Sequence, residues 1–203
     1  MKYSYQILAS DLCSDGFLKL HRHRLQHASF RGGDCEPIVR ERLEGLSAVS
    51  VLLYDPLQDV VVLVEQFRVG LMGVLDPPWC LETVSGFCDC HGEAPEAVAR
   101  REVVEETGCE LLDLVPIGDF FTSPGISVEQ FSLYLGRVNA PEPGGVFGLD
   151  HEGEEMRVAV LPREDAVTEL FGRMNSTSII ITLQWLEGHR EALLQRWGIS
   201  PGG

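Results

Sequence analysis

Apolar positions alternate, cluster and recur at helical spacing in different parts of this chain, and the changes mark its elements. Phe17, Leu20, Leu25, Ala28 and Phe30 alternate loosely before the turn signal Arg31-Gly-Gly-Asp34, which predicts short strands and a hairpin. Leu46 to Tyr54 and Val60 to Glu65 are β-branched runs joined through Asp55-Pro-Leu-Gln-Asp59, a second hairpin. A strand at Cys80 to Val84 precedes a helix opened by Pro95, whose fixed φ suits a first helical residue, with Ala94 before it extended. Ala99 and Val103 give that helix an apolar seam at i+4 spacing, and Thr107-Gly108 supplies a left-handed stop. Further strands are predicted around Leu114 to Phe121, Gln130 to Arg137 and Met156 to Leu161, with a loop rich in Gly, Pro and acids from Ala140 to Glu155. Pro162-Arg-Glu-Asp and Asn175-Ser-Thr-Ser start two C-terminal helices. This order predicts an α/β/α sandwich, a mixed sheet with helices on both sides. Residues 1–46 form a small β-domain too short to hold a core alone, and residues 47–203 the main domain.

Composition fits an enzyme domain. At 203 residues, with 44% hydrophobic and 23% charged side chains, the chain has ordinary globular usage and ample length for a core. Its 16 basic and 31 acidic side chains leave a net charge of −15 without a basic stripe, which speaks against nucleic-acid binding. No run approaches the length of a membrane span, and Met1-Lys-Tyr-Ser-Tyr-Gln has no apolar signal core, so a cytoplasmic enzyme is expected. Six cysteines without a secretory signal read as free thiols. Cys88-Asp-Cys90-His91 lacks the second Cys/His pair that a zinc site needs.

The strongest chemical signal lies in the helix after Pro95. Arg101-Glu102-Val103-x-Glu105-Glu106-x-Gly108 sets three carboxylates at i+3 and i+4 steps, on one face and about 5–6 Å apart at Cβ. Like charges so placed destabilise a helix unless neutralised, and the natural partner of clustered hard oxygens is Mg²⁺, with Mn²⁺ as the alternative. Metal on a carboxylate cluster points to phosphate chemistry.

These residues resemble the Nudix box, the signature of metal-dependent hydrolases that cleave a diphosphate linked to another group. The pattern is Gly, five residues, Glu, seven residues, then Arg-Glu-apolar-x-Glu-Glu-x-Gly-apolar. Glu93 to Cys109 fits it in register, whereas six residues separate Gly86 from Glu93. Val64-Glu-Gln-Phe-Arg68, Pro78-Trp-x-Leu-Glu82, Ser123-Pro-Gly125 and Gly148-Leu-Asp-His-Glu152-Gly-Glu154 extend the resemblance to bacterial ADP-ribose pyrophosphatases, from about Phe17 to Trp197. The position of Pro124, 16 residues beyond Gly108, is similar to the spacing in that subfamily.

The resemblance implies a metal set of Glu102, Glu105, Glu106 and the Ser85 carbonyl, with Glu154 completing it. It implies Glu152 as general base on the acidic loop, although Glu154 and Glu155 adjoin it and leave the acting carboxylate open. Arg101 is implied to orient a neighbouring glutamate through a bidentate pair. Phe17, Arg40, Arg68 and Glu129 correspond to substrate-binding positions. From the residues alone, Phe17 suits core or base stacking equally, Arg68 suits a diphosphate or solvent, and Trp79 suits packing. The substrate class implied is a nucleoside diphosphate sugar, ADP-ribose first and GDP-mannose or UDP-glucose as alternatives, with a non-cleaving sensor a further reading. A homodimer with a swapped N-terminal region is also implied, while packing of the front piece on its own domain stays open.

Overall fold

The computed structural model describes residues 3–45, 47–88, 93–149, 151, 153–172 and 174–200. They divide into two compact units, one made of residues 1–47 with 121–130, the other of 48–120 with 131–203.

The first unit is a three-stranded antiparallel sheet of β1 (Tyr5–Asp15), β2 (Lys19–His27) and β3 (Ile38–Glu44), in that order. Between β2 and β3 the Ser29 N–H closes on the Gly33 carbonyl at 2.9 Å, with Gly32 and Gly33 at φ +97° and +67°. That is the turn expected at Arg31-Gly-Gly-Asp34, since a positive φ favours glycine. The hydrophobic pattern does not predict strand β1. Residues 121–130 join this unit through β3, where the Leu43 N–H donates to the Ile126 carbonyl at 2.7 Å. The unit is therefore not a contiguous piece of chain.

The second unit holds the large sheet. Strands β4 (Ala48–Asp55) and β5 (Val60–Phe67) form the expected hairpin, turned by the Asp55 carboxylate, which accepts the Leu57 and Gln58 N–H groups at 2.9 and 3.2 Å. The single strand expected over Cys80 to Val84 is two: β6 (Trp79–Glu82) pairs with β5, and β7 (Val84–Phe87) with β4. Then come α1 (Pro95–Thr107), β8 (Asp113–Phe121), β9 (Gln130–Arg137), β10 (Val146–Phe147), β11 (Met156–Pro162), α2 (Arg163–Thr168) and α3 (Thr177–Arg196). The eight-stranded sheet runs β10-β11-β5-β4-β9-β8, with β6 and β7 alongside, and is mixed because β4 and β9 are parallel.

Strand β4 is buried along its whole length, and its alternation sorts it between two cores. Val49, Val51 and Leu53 join Val62, Val64 and Val84 against Val98, Ala99 and Val103 of α1. Leu52 and Tyr54 join Val61 and Leu63 against Ile179, Leu183 and Leu186 of α3. Burying each such side chain stabilises by about 1.5–3 kcal/mol. The helix-on-both-sides sandwich follows, with α1 on the face that carries the box.

Helix α1 has the expected ends. Ala94 is extended at ψ 143°, Pro95 opens the helix, and Gly108 closes it at φ +67° with its N–H on the Val104 carbonyl. On the opposite face Arg163 donates to Asp59 at 2.9 and 3.1 Å and to Glu187 at 2.6 Å, which ties α2 and α3 to the β4–β5 turn.

Candidate active site

Strand β7 and helix α1 meet where the box begins. Gly86 is paired with Val49 in β4, and a Cβ on it would lie 2.0 Å from Glu102 Oε1. The absence of a side chain at position 86 is what lets Glu102 lie against the strand. One turn on, Glu106 reaches the same strand, and the Ser85 amide donates to its Oε2 at 3.3 Å. Glu102 and Glu106 are 9% and 2% exposed, whereas Glu105 is half-buried.

Arg101 serves the cluster differently from the bidentate pair expected. A single nitrogen, Nη1, lies 2.8 Å from both Glu102 Oε1 and Glu105 Oε2, and Nε is 4.0 Å from Glu93 Oε1. One guanidinium thus bridges three box carboxylates instead of gripping one.

It does not neutralise them. Burial pushes Glu102 up to about 7, the charges of Glu105 and Glu154 add to the rise, and Arg101 pulls it back. Burial also drives Glu106 well above the usual range, reinforced by Glu102 and Glu154 and opposed by the Ser85 N–H and by Arg68. Among the described residues no three acidic, His or Cys side chains close on one point as a ready-made cage. The donor set nevertheless fits a hard divalent cation: buried carboxylate oxygens that repel one another and lack a full complement of positive charge.

Glu154 enters this field because its loop is pinned to α1. Phe147 of β10 lies over Gly108, where a Cβ would meet its ring at 2.8 Å. The next N–H, from Gly148, donates to the Glu105 carbonyl at 3.3 Å. Gly148 itself sits at φ +113°, and a Cβ there would stand 2.6 Å from the Glu154 carbonyl oxygen. Two glycines therefore seat the acidic loop on the helix that carries the glutamates. Glu152, the expected base, lies outside the described residues, as do Cys90 and His91.

Arg68, just past β5, pairs with Glu82 on β6, Nε to Oε2 at 2.5 Å, and its charge also reaches Glu106. Cys80 is buried in the same corner, and desolvation with the Glu82 charge pushes its thiol to about 12. Trp79 is not packed away as expected: it is half exposed, edge-on to Phe67 at 5.2 Å. The remaining substrate candidates belong to the first unit. Phe17 is exposed there, Arg40 on β3 turns its Nη1 to the Val39 carbonyl at 2.8 Å, and Glu129 accepts the Thr122 hydroxyl at 2.6 Å. Glu82 was quoted in the sequence only as part of a motif; its link to Arg68 needs the β5–β6 register, which the motif does not state.

A buried, mutually repelling pair of carboxylates on one helix, seated on a glycine strand and overhung by an acidic loop, belongs with the family the chain matches. Residues 46–181 match the NUDIX domain, and the chain is a member of that family, a hydrolase. It is 37% identical over 199 residues, 97% of this chain and 94% of the relative, to an ADP-ribose pyrophosphatase of Escherichia coli strain K12. It is 28% identical over 196 residues, 93% and 94% of the two chains, to a GDP-mannose pyrophosphatase of Yersinia pestis strain Pestoides F. Among solved structures, one described as an ADP compounds hydrolase superposes with a TM-score of 0.68 at 18% identity, covering 91% of this chain and 95% of that one.

Proposed function

We propose that this protein hydrolyses ADP-ribose to AMP and ribose 5-phosphate, with water adding across the diphosphate bridge. The observation that carries the reading is the Glu102–Glu106 pair, buried against Gly86 and raised first by that burial and then by neighbouring acidic charge, in a chain 37% identical to an ADP-ribose pyrophosphatase.

Glu102, Glu105, Glu106 and Glu154, with the Ser85 carbonyl, would hold Mg²⁺, and Mn²⁺ suits the same oxygens. A divalent ion held there would offset the repulsion of these carboxylates and would supply Lewis-acid polarisation of a phosphoryl oxygen. Arg68 holds the diphosphate, using the guanidinium that Glu82 now occupies. Glu152 takes the proton of the attacking water on its carboxylate, and its place on a loop couples that step to substrate arrival. Phe17 offers a stacking face to the base, with Arg40 and Glu129 at the adenosine and ribose ends. A homodimer that exchanges its N-terminal regions, working in the cytoplasm, completes the reading.

The GDP-mannose relatives give the second reading, of the same chemistry on another sugar nucleotide, at the lower identity of 28%. A sensor that binds without cleaving fits less well, since every box glutamate is present. The test is a panel of ADP-ribose, GDP-mannose and UDP-glucose with Mg²⁺, the products separated by chromatography. AMP with ribose 5-phosphate, formed preferentially from ADP-ribose and abolished by chelator, is the expected result. Preference for another sugar nucleotide would overturn the substrate and keep the hydrolase.

A further inference from the structure

Gln66 is 6% exposed, and its carboxamide nitrogen has no hydrogen-bond partner among the described residues. Buried donors in folded proteins are nearly always satisfied, so this one calls for an acceptor supplied at some stage of the working cycle. Strand register shows which. Val64 pairs with Glu82 and Gln66 with Cys80, and Val64 packs in the core under α1. Alternation therefore sets Gln66, Cys80 and Glu82 on the face that carries the box helix. Gln66 and Glu82 are diagonal neighbours across the two strands, a relationship with Cα atoms about 7–8 Å apart and within reach of long side chains.

The Glu82 carboxylate is held by Arg68 at 2.5 Å, and its charge helps hold the Cys80 thiol in its protonated form. Arg68 is the same cation that reads above as the diphosphate ligand, and it cannot serve both anions fully. When it turns to the substrate, Glu82 is left in a half-buried corner beside the buried Cys80, without its cation. A carboxylate so stranded would draw the arginine back and weaken substrate binding.

We propose that Gln66 is a positioning residue that takes over Glu82 as the diphosphate draws Arg68 away. The Nε2 N–H donates to the Glu82 carboxylate, and its lack of a partner among the described residues is the waiting half of that exchange. The inference rests on Arg68 as the diphosphate-binding residue.

The test is a four-member cycle: wild type, Gln66→Leu, Glu82→Gln and the double variant, with KM and kcat measured on ADP-ribose. Leucine has a similar volume and no donor. Gln66→Leu should raise KM about tenfold, the loss of one hydrogen bond to a charged group, while kcat stays within about twofold. Its melting temperature should hold or rise, because an unsatisfied buried donor has been removed. Adding Glu82→Gln in the Gln66→Leu background releases Arg68 and should bring KM back toward wild type. An unchanged KM in Gln66→Leu, or a rise that Glu82→Gln does not reverse, overturns the proposal. Should Gln66→Leu fail to fold, Gln66→Met repeats the comparison. Calorimetric titration of ADP-ribose in chelator reads the same shifts as Kd. Binding without turnover in Mg²⁺ by the wild type would thus sink the ADP-ribose hydrolase reading while the Gln66 cycle is still measured; no binding in either chelator or Mg²⁺ would overturn both.

Discussion

Gly86 and Glu102 occupy one another's space: the Cβ that any other residue would place at 86 falls 2.0 Å from Glu102 Oε1 and 2.4 Å from its Cγ. The glycine is required by the carboxylate rather than by the backbone, since it lies in a regular strand pair with Val49.

Gly86→Ala should therefore expel Glu102 from its seat and leave the sheet intact. We expect a fall in kcat of about 10–100-fold, as for loss of a site-orienting contact, with a stability change of about 1 kcal/mol. Steady-state kinetics beside a denaturant melt checks it, and full activity in a folded variant would show that the position of Glu102 does not matter.

Glu102 and Glu106 take up protons more readily folded than unfolded, Glu102 titrating at about 7. Their contribution in metal-free protein is fully present below the unfolded carboxylate pKa of about 4.5 and is lost as pH rises through the folded value. Chelated protein should thus lose stability between about pH 5 and 8, by on the order of 3 kcal/mol from Glu102 alone. Mg²⁺ should restore it at pH 8 and do little at pH 5. Thermal melts across this range with chelator or Mg²⁺ are the check, and a metal effect independent of pH would count against these carboxylates as the ligands.

Gly148→Ala forces a side chain into a left-handed backbone position, 2.6 Å from the Glu154 carbonyl oxygen. The strain, about 1–3 kcal/mol, is most easily relieved by moving the loop off α1. Turnover should drop at least about tenfold while the KM for ADP-ribose changes little, if, as proposed, the loop brings the base and Arg68 holds the substrate. Equal losses in both would place the loop in binding instead.

Much of this site was legible in the sequence because its logic is local. Pro95, the Ala99–Val103 seam, the glutamate spacing and Gly108 all act within one helix, and each behaves as its chemistry dictates. The split of residues 79–87 into two strands was not legible. It falls at Thr83, whose hydroxyl meets Ser50 at 2.6 Å and Ser178 at 3.2 Å, partners remote in sequence. Strand β1 was missed for a related reason: all eleven of its residues are exposed, and its order comes from pairing with β2. The return of residues 121–130 to the first unit, the triple bridge of Arg101 and the pairing of Arg68 with Glu82 likewise depend on contacts that no short window contains.

The central claim is that the box carboxylates drive hydrolysis, and Glu106, 2% exposed and repelled by Glu102 and Glu154, is the group to change. Purified wild type and Glu106→Gln would be compared for release of AMP from ADP-ribose in Mg²⁺, with ADP-ribose binding measured on the same samples. Turnover at least about 100-fold lower in the variant, with binding kept within a few-fold, is the result expected for a group that acts on the transition state. Undiminished turnover in Glu106→Gln would contradict it.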